Sequence, residues 1–121
     1  MMPPVFSVLA AAPAVTALIG SSPVRLYPFG EADNTTTRPY VVWQTIFGSP
    51  ENYLGNTPDI DGFGTQMDVY AKTAEDAREV AETLRDVIEP VAHITAYNGE
   101  FRDPITRDYR YSFNVDWLVN R

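Results

Sequence analysis

A chain of 121 residues has the length of one ordinary domain and leaves no room for a second core, so residues 1–121 are expected to fold as a single unit. Its 45% hydrophobic and 12% aromatic content argues against disorder of the chain as a whole. Sixteen acidic residues against nine basic ones leave a formal net charge of −7. Lys72 is the sole lysine among scattered arginines, a balance that disfavours gripping nucleic acid by its phosphates or settling on an anionic membrane.

Cysteine is absent, which removes disulfides, thiol catalysis, iron–sulfur clusters and Cys-based zinc sites. His93 is the only histidine, so multi-His metal sites are excluded and an imidazole-driven triad is a poor fit. The apolar opening stretch, residues 1–20, lacks a basic n-region and is interrupted by Pro3, Pro4 and Pro13. It is therefore not read as a signal peptide, and synthesis in the cytoplasm is expected. No run approaches the roughly 20 apolar residues of a membrane span.

In chain order, Pro4 suits the first turn of a helix, and Val5, Phe6, Val8, Leu9, Ala12, Val15, Leu18 and Ile19 recur at three- and four-residue spacings. This predicts an amphipathic helix, broken or restarted at Pro13 and ended by Gly20. A short strand, Val24–Tyr27, is closed by Pro28 and followed by a polar loop, Gly30–Arg38. Tyr40–Phe47 is dense in β-branched and aromatic residues and reads as a strand. The segment Gly48–Gly62, with three glycines and two prolines, reads as a long irregular connection. Phe63–Ala71 then alternates, with Phe63, Thr65, Met67, Val69 and Ala71 sharing one face.

Thr73 caps the clearest helix. Asp76 lies three residues later, Ala77, Val80, Ala81, Leu84 and Ile88 form an apolar stripe, and Pro90 stops it. A strand around His93–Tyr97, a polar turn from Asn98-Gly99 to Arg107, and a last long strand complete the chain. In that strand Tyr109, Tyr111, Phe113, Val115, Trp117 and Val119 alternate with Arg110, Ser112, Asn114 and Asp116. The predicted class is α+β: a mainly antiparallel sheet of four to five strands packed on two helices, in the order α-β-β-β-α-β-β.

Catalytic parts are missing from this inventory. Asp59-Ile60-Asp61-Gly62 has the opening carboxylate spacing of a calcium loop but not the later ligands, and an acidic turn is the simpler reading. Glu75, Asp76, Glu79 and Glu82 on a capped helix read as a solvated face near the positive end of its dipole. Asp103 and Asp108, beside Arg102 and Arg107, read as turn caps and local ion pairs. No phosphate loop or nucleophile elbow is present. The chain is expected to be no enzyme and to carry no metal or cofactor.

Tyr53, Leu54, Ile60 and Phe63 stand in or beside the irregular connection. Apolar groups on a long loop pack either on a partner or on the chain's own body, and the sequence leaves both open. Together with Asp59, Asp61, Arg38 and Arg102 they form the candidate subunit and partner interface.

Four ordered segments resemble the tail-terminator, or tail-completion, family of long-tailed, siphovirus-type phages. They are Pro4-Val5-Phe6 with Val15-Thr16-Ala17-Leu18-Ile19-Gly20; Arg38-Pro39-Tyr40-Val41-Val42-Trp43-Gln44 with Gly48-Ser49-Pro50-Glu51-Asn52; Gln66-Met67-Asp68-Val69-Tyr70-Ala71 leading into the helix of Ala77, Ala81, Leu84 and Arg85; and Arg102-Asp103-Pro104 with Thr106-Arg107 and the closing run Tyr109–Trp117. The resemblance implies a structural virion protein at the head-proximal end of the tail. It would cap the tail tube, end its polymerisation and form a six-fold joining ring. The implied partners are copies of itself, the major tail tube protein and the head–tail connector, with DNA passing through the channel unbound. A head–tail connector or minor tail component is the neighbouring alternative. A small-ligand or calcium-binding module built on Asp59 and Asp61 is the alternative of another class.

Overall fold

The computed structural model describes residues 2–32, 36–52, 54–55 and 57–121. Two short helices, α1 (Val5–Ala10) and α2 (Pro13–Ile19), precede a small strand β1 (Leu26–Pro28) and two long ones, β2 (Tyr40–Pro50) and β3 (Ile60–Ala71). Helix α3 (Ala74–Ile88) and strands β4 (His93–Arg102) and β5 (Tyr109–Asn120) follow. The break at Pro13 thus divides the opening apolar stretch into two helices, as its spacing predicts. Each buries residues four apart, Val5 with Leu9 and Val15 with Ile19, and Gly20 ends α2 at a φ of 84° that side-chain-bearing residues avoid.

The five strands form one sheet in the order β1-β2-β3-β5-β4, with β1 parallel to β2 and all other pairs antiparallel. β3 lies at the centre, hydrogen-bonded along both sides. Its pairing sets Met67 opposite both Trp43 and Phe113, and Phe63 opposite Trp117. Because side chains alternate along a strand, this register gathers Val41, Trp43, Phe63, Met67, Val69, Phe113, Val115 and Trp117 on one face. The three helices cover that face, and α3 contributes Ala77, Val80, Ala81, Leu84 and Ile88 to the same core. Its N-terminus is closed as expected, with the Thr73 hydroxyl accepting from the Asp76 amide at 3.1 Å. One polar group sits inside this core without penalty: fully buried Thr65 accepts the Trp117 indole N–H at 3.0 Å and donates to the Val115 carbonyl.

Two expected connections are strands instead. β2 runs on to Pro50 and β3 begins at Ile60, so the irregular stretch shrinks from Gly48–Gly62 to residues 51–59. Gly62 is not a breaker but a strand residue, two positions before Gly64 on the same face. The two form a bare patch on the sheet, and a Cβ at Gly64 would lie 2.0 Å from the Phe47 ring, which rests there. Likewise β4 continues through Asn98-Gly99 to Arg102, absorbing them with two register shifts, one between Ile94 and Ala96 and one between Tyr97 and Gly99. The polar turn is thereby confined to residues 103–108. Among the described residues no helix is long and apolar enough to cross a membrane.

Candidate assembly surface

The antiparallel order sends the β2–β3 hairpin out at one end of the sheet and the β4–β5 hairpin out at the other. The candidate interface residues divide between these ends.

At the β2–β3 end Leu54 is fully exposed. Tyr53 lies outside the described residues. Asp59 is exposed, and its carbonyl accepts the Arg121 amide at 2.8 Å, tying the C-terminus to the base of the hairpin. Asp61 is buried on β3, where its carboxylate accepts from Arg121 Nε and Nη2, the closest contact being 2.9 Å. A carboxylate committed to a guanidinium on a strand is not the start of a calcium loop, which corrects the ligand-binding alternative. Among the described residues no cluster of acidic or histidine side chains could hold a metal ion. Ile60 is half-buried, and Phe63 is core. Of the described apolar candidates here, Leu54 is the one left wholly exposed.

At the other end Arg38 turns inward rather than outward. Its Nη2 lies 2.7 Å from Asp108 Oδ2 and its Nε 3.0 Å away, with both side chains nearly excluded from solvent. Asp108 thereby fixes one end of the turn at residues 103–108. Asp103 holds the rest, since its carboxylate accepts from the amides of Ile105 (2.8 Å) and Thr106 (3.0 Å). These bonds, with Thr106's first, hold the Asp103 carboxyl below its usual range. Asp103 N–H donates to the Asp108 carbonyl, and Arg107 N–H to that of Asp103, both at 2.9 Å. Arg107 adopts the left-handed φ of 62° to close the turn.

The outcome is a stiff tip with an apolar residue, Ile105, exposed at 89%. Two guanidinium groups flank it. Arg102 stacks on the Tyr109 ring at 4.9 Å, and neither it nor Arg107 meets a carboxylate among the described residues. Arg102 was legible as a candidate. Ile105 was not, and its signal was an isoleucine in the otherwise polar run Asp103-Pro104-Ile105-Thr106-Arg107-Asp108.

The helix side is acidic. Glu75, Glu79, Glu82, Asp86 and Glu89 follow one another at spacings of four and three along the exposed face of α3. Arg85 pairs with Asp86 at 3.0 Å and Glu89 at 3.6 Å, and Glu75, Glu79 and Glu82 meet no cation among the described residues. Arg78 reaches across to Glu100 on β4, whose carboxyl is held low by that hydrogen bond.

The open face of the sheet is polar and internally bonded. Gln66 and Arg110 both donate to the buried carboxylate of Asp68, and Asn98 donates to Ser112 and Asn114. Beside them Tyr40 and Tyr70 stack with ring centroids 5.0 Å apart.

A family model described as "Tail completion protein gp17" matches residues 3–120. The chain belongs to that family. Membership makes it a phage tail-completion structural protein, a component of the virion. Among curated protein sequences none matches it. Among solved structures it is similar in fold to a chain from the virion of a native gene transfer agent particle, at 13% identity and a TM-score of 0.67, covering 97% of this chain and 92% of that one. It is also similar to the bacteriophage SPP1 gp17 protein, at 11% identity and a TM-score of 0.58, covering 97% and 86% respectively. At such low identity these likenesses concern the fold of the tail completion protein alone. The surfaces described above are read from its own residues.

Proposed function

We infer that this tail completion protein is a tail terminator: it caps the tube at the head-proximal end, ends tube polymerisation and forms the joining ring to the head connector. The observation that carries this reading is the family match over nearly the whole chain. A single subunit is small, so closing a tube requires several copies around the axis, and a six-membered ring is the proposed form. Such a ring uses two different patches on each subunit that close after a fixed rotation. Its partners are the major tail tube protein on one face and the connector on the other. With a net charge of −7 the ring would let DNA pass without holding it.

Deleting the gene and imaging the particles by negative stain tests the reading. Overlong or ragged tubes and unjoined heads are expected, with normal joined particles restored by the gene in trans. Tails of normal length that join heads in its absence would sink the proposal. Labelled protein found along the tube or at its distal tip would favour a minor tail component instead.

A further inference from the structure

We propose that the β4–β5 tip of one subunit docks on the acidic flank of α3 in the next, with Ile105 seated between Arg102 and Arg107 and these facing Glu79 and Glu82. This inference rests on the ring reading above and names the contact that would close it. The receiving surface is a cleft of about 270 Å³ lined by Ala81, Glu82, Arg85, Tyr97 and Tyr111. It offers a methyl group and two aromatic rings to an isoleucine side chain. Glu82 stands in its wall and Glu79 one turn away, while the Arg85 charge is already engaged by Asp86 and Glu89.

Charge selects the occupant. Among the described residues Arg102 and Arg107 meet no carboxylate, because Asp103 is committed to the turn amides and Asp108 to Arg38, while Glu79 and Glu82 on the α3 flank meet no cation. A second copy of the same chain satisfies both. The tip cannot reach its own cleft. It is pinned by Arg38–Asp108 at the end of the sheet where α3 begins, whereas Glu82 and Tyr97 lie further along toward the opposite end. The contact therefore joins two different patches on two subunits, as a closed ring requires. The hydrogen bonds that stiffen residues 103–108 also mean that little freedom is lost on docking, and an exposed apolar anchor with flanking arginines has the composition of an interface hot spot.

The chain has no cysteine, so introduced pairs report without background. The test places Arg107→Cys and Glu82→Cys together in the full-length protein assembled into particles, followed by mild oxidation. A ladder of covalent multimers ending at the copy number of the ring is expected, with at most dimers from either single variant. In parallel, Arg107→Glu should lower incorporation into particles about tenfold or more without changing the thermal midpoint, and adding Glu82→Arg should restore it.

Normal incorporation of the double-cysteine protein with no ladder would overturn the contact while leaving the terminator reading intact. So would an Arg107→Glu defect that Glu82→Arg fails to repair. Absence of the unmodified protein from particles would overturn the terminator reading and the contact with it.

Discussion

Arg38 and Asp108, seventy residues apart in sequence, form a two-pronged ion pair with almost no solvent contact. Asp108 Oδ2 takes both bonds, and its Oδ1 is buried with no hydrogen bond of its own. Removing one partner from such a pair strands the other charge in a dry site. Arg38→Ala is expected to cost about 3–5 kcal/mol of stability, measured by urea denaturation. The double variant Arg38→Met/Asp108→Leu should recover most of that loss, since neither charge then remains. A cost below about 1 kcal/mol for Arg38→Ala would mean that the pair does not hold the turn.

Closing the turn at Arg107 has a price in backbone strain, because a side-chain-bearing residue at positive φ is disfavoured by roughly 1–2 kcal/mol. Glycine relieves it but brings a more flexible unfolded chain. Arg107→Gly is therefore expected to raise stability modestly, by about 0.5–1 kcal/mol, in the same urea titration. The same variant should assemble poorly, since it removes a charge from the docking tip. Stability and assembly would then move in opposite directions, as happens where strain serves a contact.

The two tryptophans should respond differently to the same replacement. Trp117 donates its indole N–H to Thr65, whereas the buried indole N–H of Trp43 has no acceptor. Trp117→Phe loses packing and a buried hydrogen bond; Trp43→Phe loses packing but also discards an unpaired donor. Thermal melts should find Trp43→Phe the milder by about 1 kcal/mol or more. Equal losses would show that the Trp117–Thr65 bond contributes nothing net.

Burial raises the pKa of Tyr40 and of Tyr70 above the ordinary value of 10.0, with the nearby Asp68 adding to the effect at Tyr70. A raised folded-state pKa favours the protonated form in the native protein. Its contribution is thus fully present below about pH 10 and is lost as pH rises through the higher folded value. Stability should fall above pH 10, and Tyr70→Phe should flatten that decline. A pH–stability curve equally steep in the variant would assign the alkaline loss to other groups.

Leu54 and Phe63 flank the same hairpin but differ in kind. Leu54→Asp should leave the unfolding free energy within about 0.5 kcal/mol of the parent, because the side chain is fully exposed. It should impair assembly if the hairpin meets the tube. Phe63→Asp, with a core side chain opposite Trp117, is expected to prevent folding.

Local pattern carried much of this fold. Alternation from Tyr109 to Val119 and the stripe from Ala77 to Ile88 belong to segments whose neighbours in sequence share one environment, and both are seen as expected. The misreadings have a common origin in residues whose reason is across the sheet. Gly62 looks like a breaker until it is seen paired between Ser49 and Leu118 on the neighbouring strands. Asn98-Gly99 looks like a hairpin turn until β5 is seen to carry it as an irregular strand. Asp61 invites a metal until Arg121, sixty residues on, takes its carboxylate. At the interface, Leu54 and Arg102 were legible as candidates, but the exposure of Leu54 was left open by the sequence and the local ion pair expected of Arg102 is not seen among the described residues. The inward turn of Arg38 was not legible, because its partner lies so far along the chain.

β3 separates the two hairpins by twelve residues of strand, roughly 40 Å at the usual rise, and is clamped by neighbours on both sides. Changes at tips so far apart, with no shared contacts, should add independently. A lineage could therefore retune one end of this protein to a new neighbour while the other end keeps an old one. Such separability would allow the parts of a tail to be exchanged between phages one boundary at a time.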